Sequence, residues 1–481
     1  MEERKGFGSN FGFLMAAIGS AVGLGNIWGF PNKMGANGGF TFLILYLVLA
    51  VFCGVIVMIG ELALGRKTGH GAIGAYKILS KKFKWLGWMG VLSAFLILGF
   101  YCALGGYCLK YVTLNVGNLF HAGFGTGTLD GAGVFDALMA NQGECVIYGL
   151  IFVAITMVIV MGGVGGGIEK VCSVGMPALF VMLVICIIRS CTLDGAVEGL
   201  KYMFVPGWAL DNGIIKEAPS FFSVLSTAGG QMFFSLSLGM AAMITYGSYM
   251  DKKKNLQKNA VVIVVMDTVV ALMAGLCVIP GRFALDPTGN LGGPSLLFVT
   301  MQNVFDRMGG AGPVFGILFY LLVVFAAVSS SISLLEAVVA HFVDKARDQG
   351  KGDKRKAYSV LAGIAAGILC VIVCLDSLGS AGISPADILG MRGTMEKLPT
   401  WSADWLDFFD CIAEGILMPL GALLMSIMYG WEIGPEVVHA EATREGQSFG
   451  AYGWFKICIK YITPLCMLLV LYGQIKEFFF V

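Results

Sequence analysis

A glycine-rich stretch inside an apolar segment is the first feature of this sequence that could do chemistry. It reads GSAVGLGNIWGFP, residues 19–31, and glycine and proline both weaken a helix. In hydrocarbon, broken backbone is tolerated only where protein buries it or where it borders a wet cavity. Freed carbonyls near Ala21 and Val22 would suit a desolvated cation. The helix N-terminus that restarts near Gly25 would suit a carboxylate, and Asn26 adds a hard side-chain oxygen. Close helix packing, the alternative, explains one or two of these glycines but not the whole pattern.

Hydroxyl groups recur at two further places in apolar segments. A second break is predicted at SLSLGM, residues 235–240, and two interrupted spans in corresponding halves of a membrane chain indicate a transport site. Three consecutive serines at 329–331 follow an apolar run in another segment. Such hydroxyls often bond back to a carbonyl one turn away, but adjacent hydroxyls also supply oxygen ligands to a small, hard cation. Both interpretations of these serines stay open at this point.

Four acidic residues lie inside predicted membrane spans: Glu61, Asp267, Glu336 and Glu414. A charged group is costly in lipid, so each of them is a functional candidate. The alternative for the three glutamates is a structural role, in which the carboxylate pairs with backbone groups that a helix break frees. The sequence contains no pattern typical of a Ser-His-Asp triad, a metal cluster or a phosphate-binding loop, so it does not predict an enzyme.

The composition indicates that a membrane surrounds these segments. Of the 481 residues, 57% are hydrophobic and 13% are charged, and the mean hydropathy is +0.80. Soluble proteins have about 25% charged residues, so the composition excludes an ordinary soluble domain. The net charge of +1 gives no indication of a nucleic-acid partner. Most of the 13 cysteines lie in apolar runs without zinc-type spacing. Cys145, Cys191 and Cys411 lie near span ends, so one disulfide bridge among these three is an open alternative.

The hydropathy pattern predicts an all-α membrane protein with about eleven transmembrane helices of about 20 residues each. Two of the apolar segments, 219–249 and 312–342, exceed one span and predict a break or a tilt. The predicted spans are roughly 11–35, 40–65, 86–114, 146–163, 172–189, 219–249, 259–283, 312–342, 358–375, 408–430 and 458–478.

Basic residues predict the orientation of these spans. Lysines and arginines precede the first span and follow the second, sixth and eighth, whereas the loops at 115–145, 190–218, 284–311 and 376–407 contain few of them. The positive-inside rule then places the N-terminus in the cytoplasm and the C-terminus outside, with the chain crossing the cell membrane several times. No cleavable signal is evident, because the apolar run from Phe11 continues into the broken stretch.

Taken together, these motifs resemble the neurotransmitter:sodium symporter family, in the branch of bacterial amino-acid transporters that includes the leucine and tryptophan transporters. The resemblance covers nearly the whole chain. It rests on GSAVGLGNIW at 19–28, GELALGR at 60–66, QMFFSLSLG at 231–239, TYGSY at 245–249 and SSSIS at 329–333. The family fold implies a single transmembrane domain over 1–481. It has two inverted five-helix repeats, roughly 11–189 and 219–430, with broken first and sixth helices and an extra helix at roughly 458–478.

The resemblance also implies which residues bind sodium and substrate. The first sodium site would use Ala21, Asn26, Ser235 and Asp267, completed by the carboxylate of the substrate. The second sodium site would use Gly19, Val22, Ala326, Ser329 and Ser330. The residues implied to contact the substrate are Ala21, Gly23, Gly25, Ile97, Tyr101, Phe234, Ser235, Ser237, Met240, Ser330 and Leu334.

Gates on both sides of the substrate follow from the same resemblance. Tyr101 and Phe234 resemble the aromatic pair that closes over the substrate. Arg4 with Asp344, near Tyr249, resembles the ion pair that closes the cytoplasmic side.

Three positions depart from the family pattern. Gly29 stands where the family usually has the arginine of the extracellular gate, so the acid at Asp407 or Asp410 would have no partner from the first helix. Phe7 replaces the usual N-terminal tryptophan. Asp267 stands where many members have an asparagine. A carboxylate there supplies the fixed negative charge that chloride otherwise provides, which argues against a chloride requirement.

The expected function is a sodium-coupled symporter that imports a hydrophobic or aromatic L-amino acid by alternating access. Monoamine-selective relatives have an aspartate where this chain has Gly23, and a glycine leaves room for an α-carboxylate. The alternative is a sodium-conducting channel or a substrate-sensing protein on the same fold, because broken helices alone do not separate a carrier from a conductor. The implied partners are sodium ions, one amino acid and the lipid bilayer. A homodimer is possible, because the sequence does not determine the oligomeric state.

Overall fold

A computed structural model describes residues 6–285, 296–352 and 354–480, and all regular secondary structure in these ranges is helical. Thirteen helices form the body of the protein, and we label them in chain order. They are Asn10–Ala21 (α1), Gly25–Ala36 (α2), Phe40–Thr68 (α3), Leu86–Leu119 (α4), Gln142–Met161 (α5), Val164–Cys191 (α6), Phe221–Ser235 (α7), Ala242–Gly247 (α8), Leu256–Leu285 (α9), Gly309–Asp348 (α10), Arg355–Asp376 (α11), Trp405–Glu432 (α12) and Tyr452–Phe479 (α13).

Short helices lie in the connections between these elements. Their bounds are Ala72–Leu79, Gly131–Ala140, Ala196–Phe204, Trp208–Asp211, Met301–Asp306, Pro385–Ile388, Thr400–Ala403 and Glu436–Ala442.

The number of long apolar helices agrees with a protein that crosses a membrane several times. Within the described ranges, nine helices are long and apolar enough to cross a bilayer, or ten when the bent pair α1 and α2 counts as one span. The predicted sixth span, 219–249, is divided between α7 and α8, and neither is long enough alone. The break predicted for that segment is therefore confirmed.

Both predicted breaks have distinct backbone geometry. Helix α1 ends at Ala21, Val22 is extended with ψ of 100°, and the axis bends by 46° into α2. Between α7 and α8, Ser237, Gly239 and Ala241 have positive φ angles of 54°, 78° and 66°. L-residues rarely adopt this left-handed region, so the second break is held by contacts around it rather than by local preference.

Helix α10 is the longest element and has no break. Its α-helical part runs from Gly312 to Asp348, 37 residues, so of the two explanations for the long 312–342 segment, a break or a tilt, the break is absent. It packs along α4 and also against α1, α6 and α11. Serines 329–331, which lie near its middle, are buried there beside the first break.

All 13 cysteines are free thiols, and eleven of them are buried. The disulfide that the sequence allowed among Cys145, Cys191 and Cys411 is therefore absent. Cysteine acts in this protein as a small apolar side chain that packs between helices.

Candidate functional site

Asn26 lies at the start of α2, and it joins the first break to α9. Its Oδ1 accepts a hydrogen bond from the Gly23 backbone N–H at 3.0 Å, which stabilises the unwound turn. Its Nδ2 donates to Asp267 Oδ1 at 2.8 Å and to the Asp267 carbonyl at 3.1 Å. Asn26 and Asp267 are both fully buried, so the structure brings two hard oxygen-bearing side chains together directly beside the end of α1.

Asp267 accepts three sets of side-chain hydrogen bonds. Besides Asn26, Ser235 Oγ donates to its two oxygens at 3.0 and 2.9 Å, and Tyr46 OH donates to Oδ2 at 3.2 Å. Ser235 is the last residue of α7, so the first and second breaks meet at one carboxylate. Tyr46 was not predicted as a site residue, because an aromatic residue in the apolar helix α3 gives no sign of a polar neighbour.

Oxygen atoms also converge where α1 meets α10. Ser330 Oγ donates to the carbonyls of Gly19, Ser20 and Val22 at 3.3, 3.1 and 3.4 Å. Ser329 Oγ lies 2.9 Å from the Ala326 carbonyl and 3.4 Å from the Val22 carbonyl. All residues implied for the second sodium site thus lie together, and their donor set is entirely oxygen, as a small, hard cation prefers.

The space between these two clusters is lined with small residues and aromatic rings. A Cβ on Gly23 would collide with Tyr101 OH and Ser330 Oγ, and a Cβ on Gly25 would lie 2.8 Å from the Phe234 ring. Tyr101 OH accepts a hydrogen bond from the Leu24 backbone N–H at 2.8 Å. Gly23 and Gly25 are therefore required because neighbouring side chains approach their Cα atoms closely, and not only because glycine gives the backbone more freedom.

The other residues implied for the substrate site surround this space or are buried in the same core. Ser237 Oγ donates to the Ser20 carbonyl at 2.8 Å, which connects the two breaks a second time. Ile97, Met240 and Leu334 are each at most 2% exposed, whereas Phe234 is half-buried. These four side chains are apolar.

The three buried glutamates also have identified partners. Glu61 Oε1 accepts a hydrogen bond from the Gly239 backbone N–H at 2.7 Å, which supports the structural role that was the alternative for this residue. Glu336 and Glu414 pair instead with Arg355 and Lys33, so neither serves a backbone break.

The end of the molecule that carries the basic loops is closed by aromatic and ionic contacts. Glu336 pairs with Arg355 at 2.6 Å and accepts a hydrogen bond from Tyr249 OH. Asp344 Oδ2 accepts from the Gly71 backbone N–H at 2.8 Å, and Oδ1 lies 3.5 Å from Arg347.

Arg4, Phe7 and Arg355 are the other residues to consider at the predicted cytoplasmic gate. Arg4 lies outside the described residues, so its pairing with Asp344 stays a prediction. Phe7, at the tryptophan position, packs edge-on against Phe13, Tyr246 and Tyr249 with ring centroids 5.5 to 6.2 Å apart. Sequence analysis did not identify the role of Arg355, because its partner is 19 residues away on another helix.

The opposite end contains a cation that sequence analysis did not identify. Lys33 on α2 forms an ion pair with Glu414 on α12, and Asp410 is close enough to Lys33 to interact electrostatically. The expectation that Asp407 or Asp410 has no cation from the first helix is therefore wrong for Asp410, because a lysine lies one helical turn beyond Gly29. Nearby, Asp404 caps α12 by accepting from the Asp407 backbone N–H at 2.7 Å, and burial raises the pKa of Asp404 to about 6.

Known proteins of one family match nearly the whole length of this chain. The model of the sodium:neurotransmitter symporter family matches residues 4–119 and 137–479. The chain is 34% identical to an uncharacterized sodium-dependent transporter, YhdH, of Bacillus subtilis over 96% of each chain. It is 29% identical to an uncharacterized sodium-dependent transporter of Haemophilus influenzae over 98% of each. Its structure is similar to the crystal structure of MhsT in complex with L-phenylalanine, with a TM-score of 0.84, 34% identity, and coverage of 98% of this chain and 100% of that chain.

Proposed function

Because this chain belongs to the sodium:neurotransmitter symporter family and is a sodium-dependent membrane transporter, we propose that it imports a hydrophobic or aromatic L-amino acid by alternating access. The observation that supports this most is the meeting of the two helix breaks at Asp267. Asn26 from the first break and Ser235 from the second both donate to its carboxylate. A cation bound there would contact both moving elements at once.

The substrate class is inferred from the space around the first break. The helix N-terminus of α2 favours a negative charge, so the α-carboxylate would lie there, beside Gly23, where any side chain would collide with Tyr101 OH and Ser330 Oγ. Ile97, Phe234, Met240 and Leu334 offer an apolar lining for the side chain. The similar MhsT structure has L-phenylalanine bound, which supports the same class for this chain.

We propose that sodium and amino acid bind cooperatively through a shared carboxylate. The first ion would contact Ala21, Asn26, Ser235, Asp267 and the substrate carboxylate, so each ligand would raise the affinity for the other. The second ion would contact Gly19, Val22, Ala326, Ser329 and Ser330 and would join α1 to α10.

The charge of Asp267 makes transport independent of chloride in this proposal. The carboxylate already supplies a fixed negative charge beside the first ion, and Asn26 Nδ2 and Ser235 Oγ donate hydrogen bonds to it. A bound chloride would add a second negative charge to the same buried region, which is unfavourable in a low dielectric.

The repeats and the orientation complete the proposal. Two inverted repeats, roughly 11–189 and 219–430, would move relative to each other around the ions, with the extra helix at roughly 458–478 outside them. The basic loops would face the cytoplasm, as would the N-terminus. The outer side of the protein is accordingly the side opposite these basic loops, where α2 ends.

One experiment tests the proposal as a whole. The purified protein in proteoliposomes is given each of the twenty amino acids with and without a sodium gradient, and with chloride or gluconate. We expect sodium-driven accumulation of at least one hydrophobic or aromatic amino acid, unchanged in gluconate. Sodium current without a fixed ratio of sodium to amino acid would favour the channel, and binding without accumulation would favour a substrate-sensing protein.

A further inference from the structure

The outer end of α2 carries an ion pair between a partly exposed lysine and a buried glutamate, where the family resemblance implied no ion pair. Lys33 Nζ contacts Glu414 Oε1, and the Lys33 side chain is 25% exposed whereas the Glu414 side chain is 5% exposed. The pair thus lies at the boundary between the protein interior and the solvent. Opening it requires water to reach Glu414, because a buried carboxylate is not tolerated without a partner.

Gly29 does not provide space for a cation of its own. A Cβ on Gly29 would lie 2.8 Å from Gln231 Oε1, and Gln231 Nε2 donates to the Gly25 carbonyl at 2.6 Å. The Gln231 amide from α7 therefore fills the place that a side chain at position 29 would take. The nearest cation on the same helix is Lys33, four residues further and hence on the same face.

Helix α13 approaches the pair from outside the two proposed repeats. A Cβ on Gly230 of α7 would lie 2.7 Å from Gln474 Nε2 and 3.3 Å from Glu414 Oε1, so these two side chains lie over the same point of α7. Glu477 acts electrostatically on Lys33, as does Asp410. One ammonium group therefore stands among three carboxylates.

We propose that the ion pair of Lys33 and Glu414 is the outer gate of this transporter, in which the ammonium on α2 holds this helix to α12 and offsets the mutual repulsion of Asp410, Glu414 and Glu477 on α12 and α13. This rests on the proposed alternating-access function. Lysine meets the carboxylate through a single point charge, whereas arginine would form a bidentate clamp, so a small rotation of α2 breaks the contact. The arrangement is also asymmetric. Loss of Lys33 leaves three acids together, whereas loss of Glu414 leaves Lys33 with Asp410 and Glu477.

The test measures opening of the outer side without relying on the substrate. Full-length protein in nanodiscs with sodium is compared by hydrogen–deuterium exchange over the peptides that cover 26–36 and 221–235. Lys33→Gln is expected to speed exchange there by roughly tenfold or more, and Glu414→Gln by a smaller factor. The charge swap Lys33→Glu with Glu414→Lys is expected to return exchange to within about threefold of wild type.

A matched ion pair controls for the general loss of a charge between spans. Lys110 on α4 pairs with Glu144 on α5 at 2.9 Å, and the Lys110 side chain is 14% exposed. Lys110→Gln is expected to leave exchange over 26–36 and 221–235 unchanged. The thermal midpoints of all variants show whether each one is folded.

Two outcomes overturn the inference. One is wild-type exchange in both Lys33→Gln and Glu414→Gln, and the other is a charge swap as open as either single variant. A second readout, the dissociation rate of tritiated L-phenylalanine, is expected to rise by the same order in Lys33→Gln. If the wild type binds no amino acid, the proposed function fails, while the exchange data still decide whether this pair holds the outer side closed.

Discussion

Asn26 has a role that a single substitution isolates. Asn26→Ala removes both the amide that bonds Asp267 and the oxygen that stabilises the Gly23 turn. Each lost buried hydrogen bond is worth about 1–3 kcal/mol and more than one is lost, so sodium and amino-acid affinity should fall together by at least about 5-fold. Equilibrium binding of labelled amino acid at several sodium concentrations measures both. Asn32→Ala, a half-buried asparagine on the same helix, is the control, and an unchanged sodium dependence in Asn26→Ala would contradict the first sodium site.

Asp267 determines the expected anion dependence. The wild type should take up substrate equally well in chloride and in gluconate, because the carboxylate provides the negative charge at the site. Asp267→Asn keeps the shape and one acceptor oxygen but removes the charge, so uptake should fall and become responsive to chloride. Uptake in proteoliposomes with each anion measures this. A strict chloride requirement in the wild type would show that Asp267 does not act as the fixed charge.

At the scale of elements, the second break depends on a contact from α3. Glu61 Oε1 accepts from the Gly239 backbone N–H at 2.7 Å, and Gly239 has a φ of 78°. Glu61→Ala leaves that buried N–H without an acceptor, so we expect the protein to lose about 1–3 kcal/mol of stability and α8 to exchange its amides faster. Thermal unfolding and hydrogen exchange measure the two effects. The exposed Glu396 provides the control, since Glu396→Ala should change neither quantity.

The sequence predicted the elements better than it predicted their contacts. Both breaks lie where glycine, serine and proline weaken an apolar helix, and Asn26, Ser235 and Asp267 meet as the resemblance implied. The pairs Lys33 with Glu414 and Glu336 with Arg355 were not predicted. Each joins side chains on two different helices, so its existence depends on how the helices pack and leaves no local pattern. Tyr46 was missed for the same reason.

At the scale of the whole molecule, the eleven spans predicted from the sequence would place the termini on opposite sides of the membrane. We expect a fluorescent protein fused to the N-terminus to fluoresce, because it lies in the cytoplasm, and one fused to the C-terminus to be dark. Alkaline phosphatase fused to the C-terminus should be active, because it lies outside. The physical reason is the positive-inside rule acting on the lysine-rich loops after the second, sixth and eighth spans. Fluorescence and phosphatase activity in intact bacterial cells measure this. Matching signals from both termini would require a different number of spans.

The unbroken length of α10 has a consequence for the choice of lipid. Its 37 residues extend for about 55 Å at about 1.5 Å per residue, and a hydrocarbon core is about 30 Å thick. The helix must therefore lean or project, and its lean changes when the bilayer becomes thinner or thicker. Ser329 and Ser330 are fixed to this helix, whereas their carbonyl partners Gly19 and Val22 belong to a shorter one that ends beside them. Acyl-chain length would then set the register between the two halves of the proposed second sodium site, and a membrane of mismatched thickness should weaken sodium binding although none of the ligands is changed.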